Sequence, residues 1–327
     1  MGGGHGNLMG RARHLTPAVL IVGGLITAGC GGADPQSQTP AKPKTPTTLV
    51  PCGASTTEQY SSHEGVPVEL NSLDVYRPAA DVDGDCSGRP AVVWIHGGGW
   101  TEGDKSDHIS DKVRLFTGAG YVLVSINYRL TNPTISPAEP HHPVHDQDAA
   151  DAVAWLVEHA DALGVDTDRI AVLGHSAGGG ITAAITTDGG YLGAHGLGLD
   201  SIRCAGSIDG EGYDVVNGAT HPDPNVNITY LNAFGTDPAV WPDASPVNHV
   251  TAGAGIPDFF VAARGTEMRL DLHAQFVAAL RGAAVPVTVV DARDLDHAEV
   301  SVDIGAPGDT VVTPVLTEFL AGCFSSG

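Results

Sequence analysis

Two glycine-rich turns, each placed directly after a short apolar run, constrain this chain more than any other feature. Ile170-Ala171-Val172-Leu173 leads into Gly174-His175-Ser176-Ala177-Gly178, and Gly179-Gly180-Ile181-Thr182-Ala183-Ala184-Ile185 reads on as a helix. A buried strand therefore has to turn sharply into a helix at Ser176. The flanking glycines leave room for a strained serine backbone, which holds the hydroxyl above the sheet at the start of the next helix. About 80 residues earlier, Ala91-Val92-Val93-Trp94-Ile95 is another buried-strand run, and His96-Gly97-Gly98-Gly99-Trp100 follows it without a break. One glycine would serve a tight turn. Three let bare backbone amides approach a substrate carbonyl, as stabilising an oxyanion requires.

The rest of the chain alternates strand and helix patterns. Thr57–His63 and Val68–Tyr76 predict a leading antiparallel hairpin. Further strands are expected at Tyr121–Ile126, Cys204–Ile208, Asp258–Ala263 and Val285–Val290. Helices are expected over Asp107–Ala119, Asp146–Leu163 with Gly164 as its C-cap, Asp271–Arg281 and Pro314–Cys323. Strands alternating with helices after a hairpin imply an α/β fold with a mostly parallel, doubly wound sheet. Ligands of such sheets bind beyond the carboxyl ends of the strands. Both glycine turns lie at such ends, and so does His297, after Val285–Val290.

The first 50 residues read differently. Arg11, Arg13 and His14 precede an apolar stretch, Leu15–Ala28, that Pro17 and Gly23-Gly24 interrupt. It is too short for a membrane span and fits a secretory signal over residues 1–30. Thr27-Ala28-Gly29-Cys30 resembles a bacterial lipobox, although Thr27 stands where an aliphatic residue is usual. Cys30 is thus the expected lipid attachment point, with plain secretion as the alternative. Residues 31–50 are rich in Pro, Thr, Gln, Ser and Lys and read as a tether, leaving 51–327 as the catalytic domain. The four other cysteines, Cys52, Cys86, Cys204 and Cys323, are an even number in an exported chain. The favoured pairing of the three possible is Cys52–Cys86 with Cys204–Cys323. A formal charge of −22 disfavours nucleic acid as a partner and leaves lipidated Cys30 as the only expected membrane contact. No metal-ligand spacing stands out, and the His141-His142 pair in a Pro-rich loop reads as a loop element.

His96-Gly97-Gly98-Gly99-Trp100, Asn127-Tyr128-Arg129-Leu130, Asp148 ahead of Trp155-Leu156, Gly164–Ile170 and Gly174-His175-Ser176-Ala177-Gly178-Gly179 together resemble the carboxylesterases of the hormone-sensitive-lipase-like branch of α/β hydrolases. The resemblance is strong from about residue 90 to 185 and stays in register to the end. It implies an α/β-hydrolase fold and a cofactor-free esterase acting on short-chain or medium-chain acyl esters. Ser176 matches the nucleophile and His297 its base. Gly98, Gly99 and the amide of Ala177 match the oxyanion hole, while His96 and Trp100 read as loop-shaping residues.

The acid departs from the family pattern, His-Gly-x-x-Asp after the strand here at Asp258–Ala263. This chain has Arg264-Gly265-Thr266-Glu267-Met268-Arg269, with Met268 at the acid's place. Glu267 is the nearest carboxylate and the expected third member; Asp209 and Asp271 are the rivals. A lid could come only from 189–200 or 217–250, both read as loops, so an open, shallow site is expected. It suits small acyl groups, or acyl groups on a bulky carrier such as a polysaccharide. An amide hydrolase or peptidase on the same fold, or a surface-tethered binding lipoprotein without catalysis, are the competing readings.

Overall fold

Runs of Val, Ile, Leu and Phe build an eight-stranded sheet with helices on both faces. The computed structural model describes residues 49–325 apart from Pro137. The expected signal segment, Cys30 and nearly all of the tether lie outside the described residues.

Two short strands, β1 (Ser55–Gln59) and β2 (Ser72–Tyr76), pair antiparallel. The hairpin is shorter than its sequence pattern. Val68–Asn71 is a 3-10 turn behind Pro67, which has no amide to give to a ladder. β3 (Arg89–Ile95), α1 (Ser110–Gly118) and β4 (Val122–Ile126) follow. The single helix expected over 146–163 divides at His159 into α2 (Val144–Glu158) and α3 (Ala160–Leu163). The His159 ring stacks on Trp155 and bonds its carbonyl at 2.8 Å. Gly164 closes α3 at a φ of +67°, a conformation that costs glycine nothing.

β5 (Val165–His175) runs into α4 (Ala177–Thr187), then α5 (Gly189–Gly193) and β6 (Cys204–Ile208). The region read as loop over 217–250 holds a helix instead. After α6 (Val215–Ala219), α7 spans Pro224–Phe234. Asp223 caps it by accepting the Asn225 amide, and Pro224 occupies the first turn, where its missing N–H is not needed. Tyr230, Ala233 and Phe234 fold its apolar face into the core. β7 (Asp258–Ala263), α8 (Glu267–Gly282), β8 (Val287–Asp291), α9 (Glu299–Val302) and α10 (Thr313–Ser325) complete the chain.

The strand order is β1-β2-β4-β3-β5-β6-β7-β8, parallel from β4 to β8. β3 shows why both faces must be covered. Ala91, Val93 and Ile95 join one core with Val153, Leu156 and Ile181, and Val92 and Trp94 join another with Phe116, Leu316 and Leu320. Two disulfides tie the ends down, Cys52–Cys86 and Cys204–Cys323, the pairing favoured from the sequence. The second joins the start of β6 to α10. No helix among the described residues is long and apolar enough to cross a membrane.

Candidate active site

Strand ends assemble the site. Ser176 sits between β5 and α4 at φ +54° and ψ −121°, a conformation that only a sharp strand-to-helix turn imposes on a serine. Glycines allow the turn. A Cβ on Gly178 would lie 2.3 Å from the Ile95 carbonyl, and one on Gly174 would lie 2.1 Å from the Gly178 carbonyl. The loop after β8 brings in His297. The Ser176 hydroxyl and His297 Nε2 are 3.0 Å apart, which is hydrogen-bond contact.

The carboxylate that meets the other face of His297 is Asp209, at the end of β6, and not the expected Glu267. His297 Nδ1 hydrogen-bonds to Asp209 Oδ2. Glu267 opens α8 as an exposed residue, and Asp271 is exposed one turn further on. The correction has a physical cause. Glu267 stands exposed on the first turn of α8, whereas β6 lies between β5 and β7 and ends beside the serine turn, where the Ser176 amide donates to the Ile208 carbonyl. Asp209 is fully buried, sits at φ +43° and donates its amide to the Ala262 carbonyl at 2.8 Å.

Around Asp209 the structure gathers side chains that the sequence reading passed over. Arg269 Nη2 lies 2.5 Å from Asp209 Oδ1, and Arg264 Nε is in ion-pair contact with Oδ2 at 3.2 Å. Arg269 also pairs with Glu211, whose amide donates to the Ser176 carbonyl at 3.0 Å. Burial pushes the Asp209 carboxyl up. The His297 hydrogen bond and the Arg269 charge outweigh it, so the group lies below its ordinary range. His175 Nε2 donates to the His297 carbonyl at 2.8 Å, tying the histidine loop to the serine turn. Burial, then the nearby His297, push His175 down to about 4. The one signal of this network in the sequence is the pair Arg264 and Arg269 flanking the place where the family's acid would stand.

The glycine turn after β3 packs on the serine turn. A Cβ on Gly97 would come within 3.0 Å of the Ser176 Cβ, and Gly98 holds a φ of +112°, where a Cβ would meet the Glu102 carbonyl at 1.9 Å. His96 and Trp100 shape this loop from beneath. The His96 ring stacks on Tyr128 at 4.5 Å, and buried Trp100 sits edge-on to Tyr230 and Phe234 of α7. The Asn127–Leu130 segment is scaffold as well. Arg129 is held by buried Asp148 at 2.6 Å, and the Tyr128 hydroxyl donates to the His96 carbonyl at 3.2 Å. Because α7 places Thr229 against Gly99, the site has a helical wall where a loop was expected. In the His141-His142 loop, His142 is buried and bonded to Asp146 at 3.0 Å.

Among the described residues, His63, Asp148 and Asp151 are the group close enough to share a metal ion. The donor set does not fit one, because both oxygens of Asp148 already accept from the Arg129 amide and guanidinium.

Comparison with known proteins finds esterases. The BD-FAE family model matches residues 73–195, from β2 through the serine turn. Esterase LipI of Mycobacterium tuberculosis is 29% identical over 236 residues, 70% of this chain and 69% of its own length. Ethyl acetate hydrolase of Pseudomonas putida is 36% identical over 120 residues, so the match spans 37% of this chain and 34% of that relative. Among solved structures, the thermophilic esterase Est2 of Thermogutta terrifontis superposes with a TM-score of 0.61 at 23% identity. That match covers 82% of this chain and 90% of that one, and at this identity the likeness is one of fold.

Proposed function

We propose that this chain, which resembles the hormone-sensitive-lipase-like branch of α/β-hydrolase carboxylesterases, hydrolyses carboxylic esters through an acyl-enzyme on Ser176. One observation carries the reading: Ser176 Oγ, His297 Nε2, His297 Nδ1 and buried Asp209 form a continuous hydrogen-bonded line. A serine hydroxyl is a weak nucleophile at neutral pH and needs an adjacent base. His297 takes its proton as Ser176 attacks the ester carbonyl. Asp209 fixes the imidazole's tautomer and steadies the imidazolium that forms. The backbone amides of Gly98, Gly99 and Ala177 receive the oxyanion. His297 then returns the proton to the departing alcohol, and water releases the acid by the same steps in reverse.

The natural ester is a short acyl group, alone or on a bulky carrier. Beside the glycine turn and Ala298 lies a cavity of about 310 Å³ with Glu102, Asp107, His108 and Ser301 on its walls. Ala298 on its wall is the neighbour of His297, on the side where the alcohol leaves, and the carboxylates and hydroxyl among its lining residues support a hydroxyl-bearing leaving group. The protein works outside the cytoplasm, held by a lipid on Cys30. The two disulfides are compatible with that compartment, and a Cys30→Ser form that stays with membranes would reject the anchor.

A fluorophosphonate probe tests the chemistry. Wild type should label and Ser176→Ala should not. Equal labelling of both, or none of wild type, would return the chain to a binding role. A panel of matched esters and amides separates an esterase from a peptidase.

A further inference from the structure

The β7–α8 connection brings cations to the place where the resembling family brings its acid. Arg264 and Arg269 both reach Asp209: Arg264 Nε lies 3.2 Å from Oδ2, the oxygen that also meets His297, and Arg269 Nη2 lies 2.5 Å from Oδ1. Asp209 is fully buried, so water does not screen these contacts as it would on a surface. Glu211 pairs with Arg269 on its outer side and reaches the Tyr230 hydroxyl at 3.3 Å. The result is a row of alternating charge, Glu211, Arg269, Asp209 and Arg264, which His297 meets at Asp209.

We propose that Arg264 and Arg269 are positioning residues that lock Asp209 as an oriented anion and offset its charge at the imidazole, so that the acid-side limit of activity depends on them. The inference rests on the esterase reading above. Its physics is a competition. A lone buried carboxylate beside a histidine favours the imidazolium and raises the pH at which the free base becomes available. Two guanidinium groups on that same carboxylate oppose the imidazolium and offset the pull of Asp209. Glu211 tempers the effect by neutralising part of the Arg269 charge.

The other titratable groups facing this pair do not supply the same effect. His175 on β5 touches the His297 carbonyl and is pushed down to about 4, first by burial, so it stays neutral near neutrality. His273 on α8 lies 3.8 Å from Asp209 Oδ1, and burial lowers it too. Tyr213, behind Asp209, is pushed well up by burial and stays neutral. Asp296 precedes His297 on its own loop, with its Oδ1 held by the Ala298 and Glu299 amides. Lys112 on α1 donates to the His108 and Ser301 carbonyls, and its charge acts on His175.

The test is the pH dependence of kcat/KM on an aryl acetate from pH 4 to 8, in the full-length protein. Arg269→Gln and Arg264→Gln should each move the acid-side midpoint up by about one pH unit. Arg269→Lys should leave it near the wild-type value. Glu211→Gln, which removes an anion and not a cation, should move it the other way. A purely structural role would change the melting temperature or the plateau rate with the midpoint unmoved, and that outcome overturns the proposal. So does a downward shift in either arginine variant. If the arginine variants do not fold, the Glu211→Gln shift decides. Fluorophosphonate labelling of wild type, run alongside, tells failure of this inference from failure of the esterase reading.

Discussion

Residue by residue, the site is paid for in backbone strain. Trp100, Ser176 and Asp209 are three of the five non-glycine residues with positive φ among the described residues. Ser176 and Asp209 directly follow β5 and β6, where a side chain must point off the sheet and the chain must turn at once, and Trp100 lies in the glycine loop after β3. For Asp209 that geometry predicts its importance. Asp209→Asn should lower kcat on an aryl acetate by about 10³–10⁴-fold, since the imidazole loses its tautomer and its counter-charge. Glu267→Gln should change it by less than about twofold, as expected for an exposed side chain away from His297. The reverse order would restore Glu267. The meeting of Ser176 and His297 was legible in the sequence because local chemistry marks them: glycines around a serine, and a histidine beyond the last strand. The acid was not. Asp209 follows an ordinary strand with no motif, and its partner lies 88 residues away.

At the scale of elements, periodicity located the strands and most helices, and failed where a short helix had loop composition. α7 is the clearest case. Asn225, Asn227 and Asn232 and the nearby prolines read as loop, yet the Asp223-Pro224 cap and Tyr230, Ala233 and Phe234 make it a packed helix. It closes the site on the side of Gly99. The same scale governs the Cys204–Cys323 bond, which pins α10 to the β6 strand that carries Asp209. It closes 119 residues of chain, which in a chain-entropy treatment contributes up to about 5 kcal/mol. The double variant Cys204→Ser with Cys323→Ser should therefore melt about 5–15 °C lower. Cys52–Cys86, closing 34 residues, should matter less. Equal melting of the double variant and wild type, followed by circular dichroism, would remove the bond from the account of stability.

For the whole molecule, buried histidines set the response to acid. Burial, first, and the neighbouring His142 and His141 push His145 down to about 3, and His175 lies near 4. An unfolded chain protonates both near pH 6.5. As pH falls below that value, the unfolded state binds protons that the folded state refuses, so stability drops by about 1.4 kcal/mol per pH unit for each such group. Asp209 has the opposite timing. Held below the ordinary carboxylate range, it stabilises the fold above about pH 4 and loses that contribution only below it. Melting temperature should thus fall steadily from pH 6.5 to 4.5, and less steeply in His145→Gln; a flat profile would contradict the burial argument. The sequence by itself determined the serine turn, the glycine loop, the histidine and the parallel α/β order, because each depends on neighbours within a few residues or on a simple period. Only the tertiary structure decided which carboxylate serves His297, that two arginines clamp it, and that a helix walls the site. Those contacts join the ends of different strands, and sheet order, not chain distance, sets which ends meet.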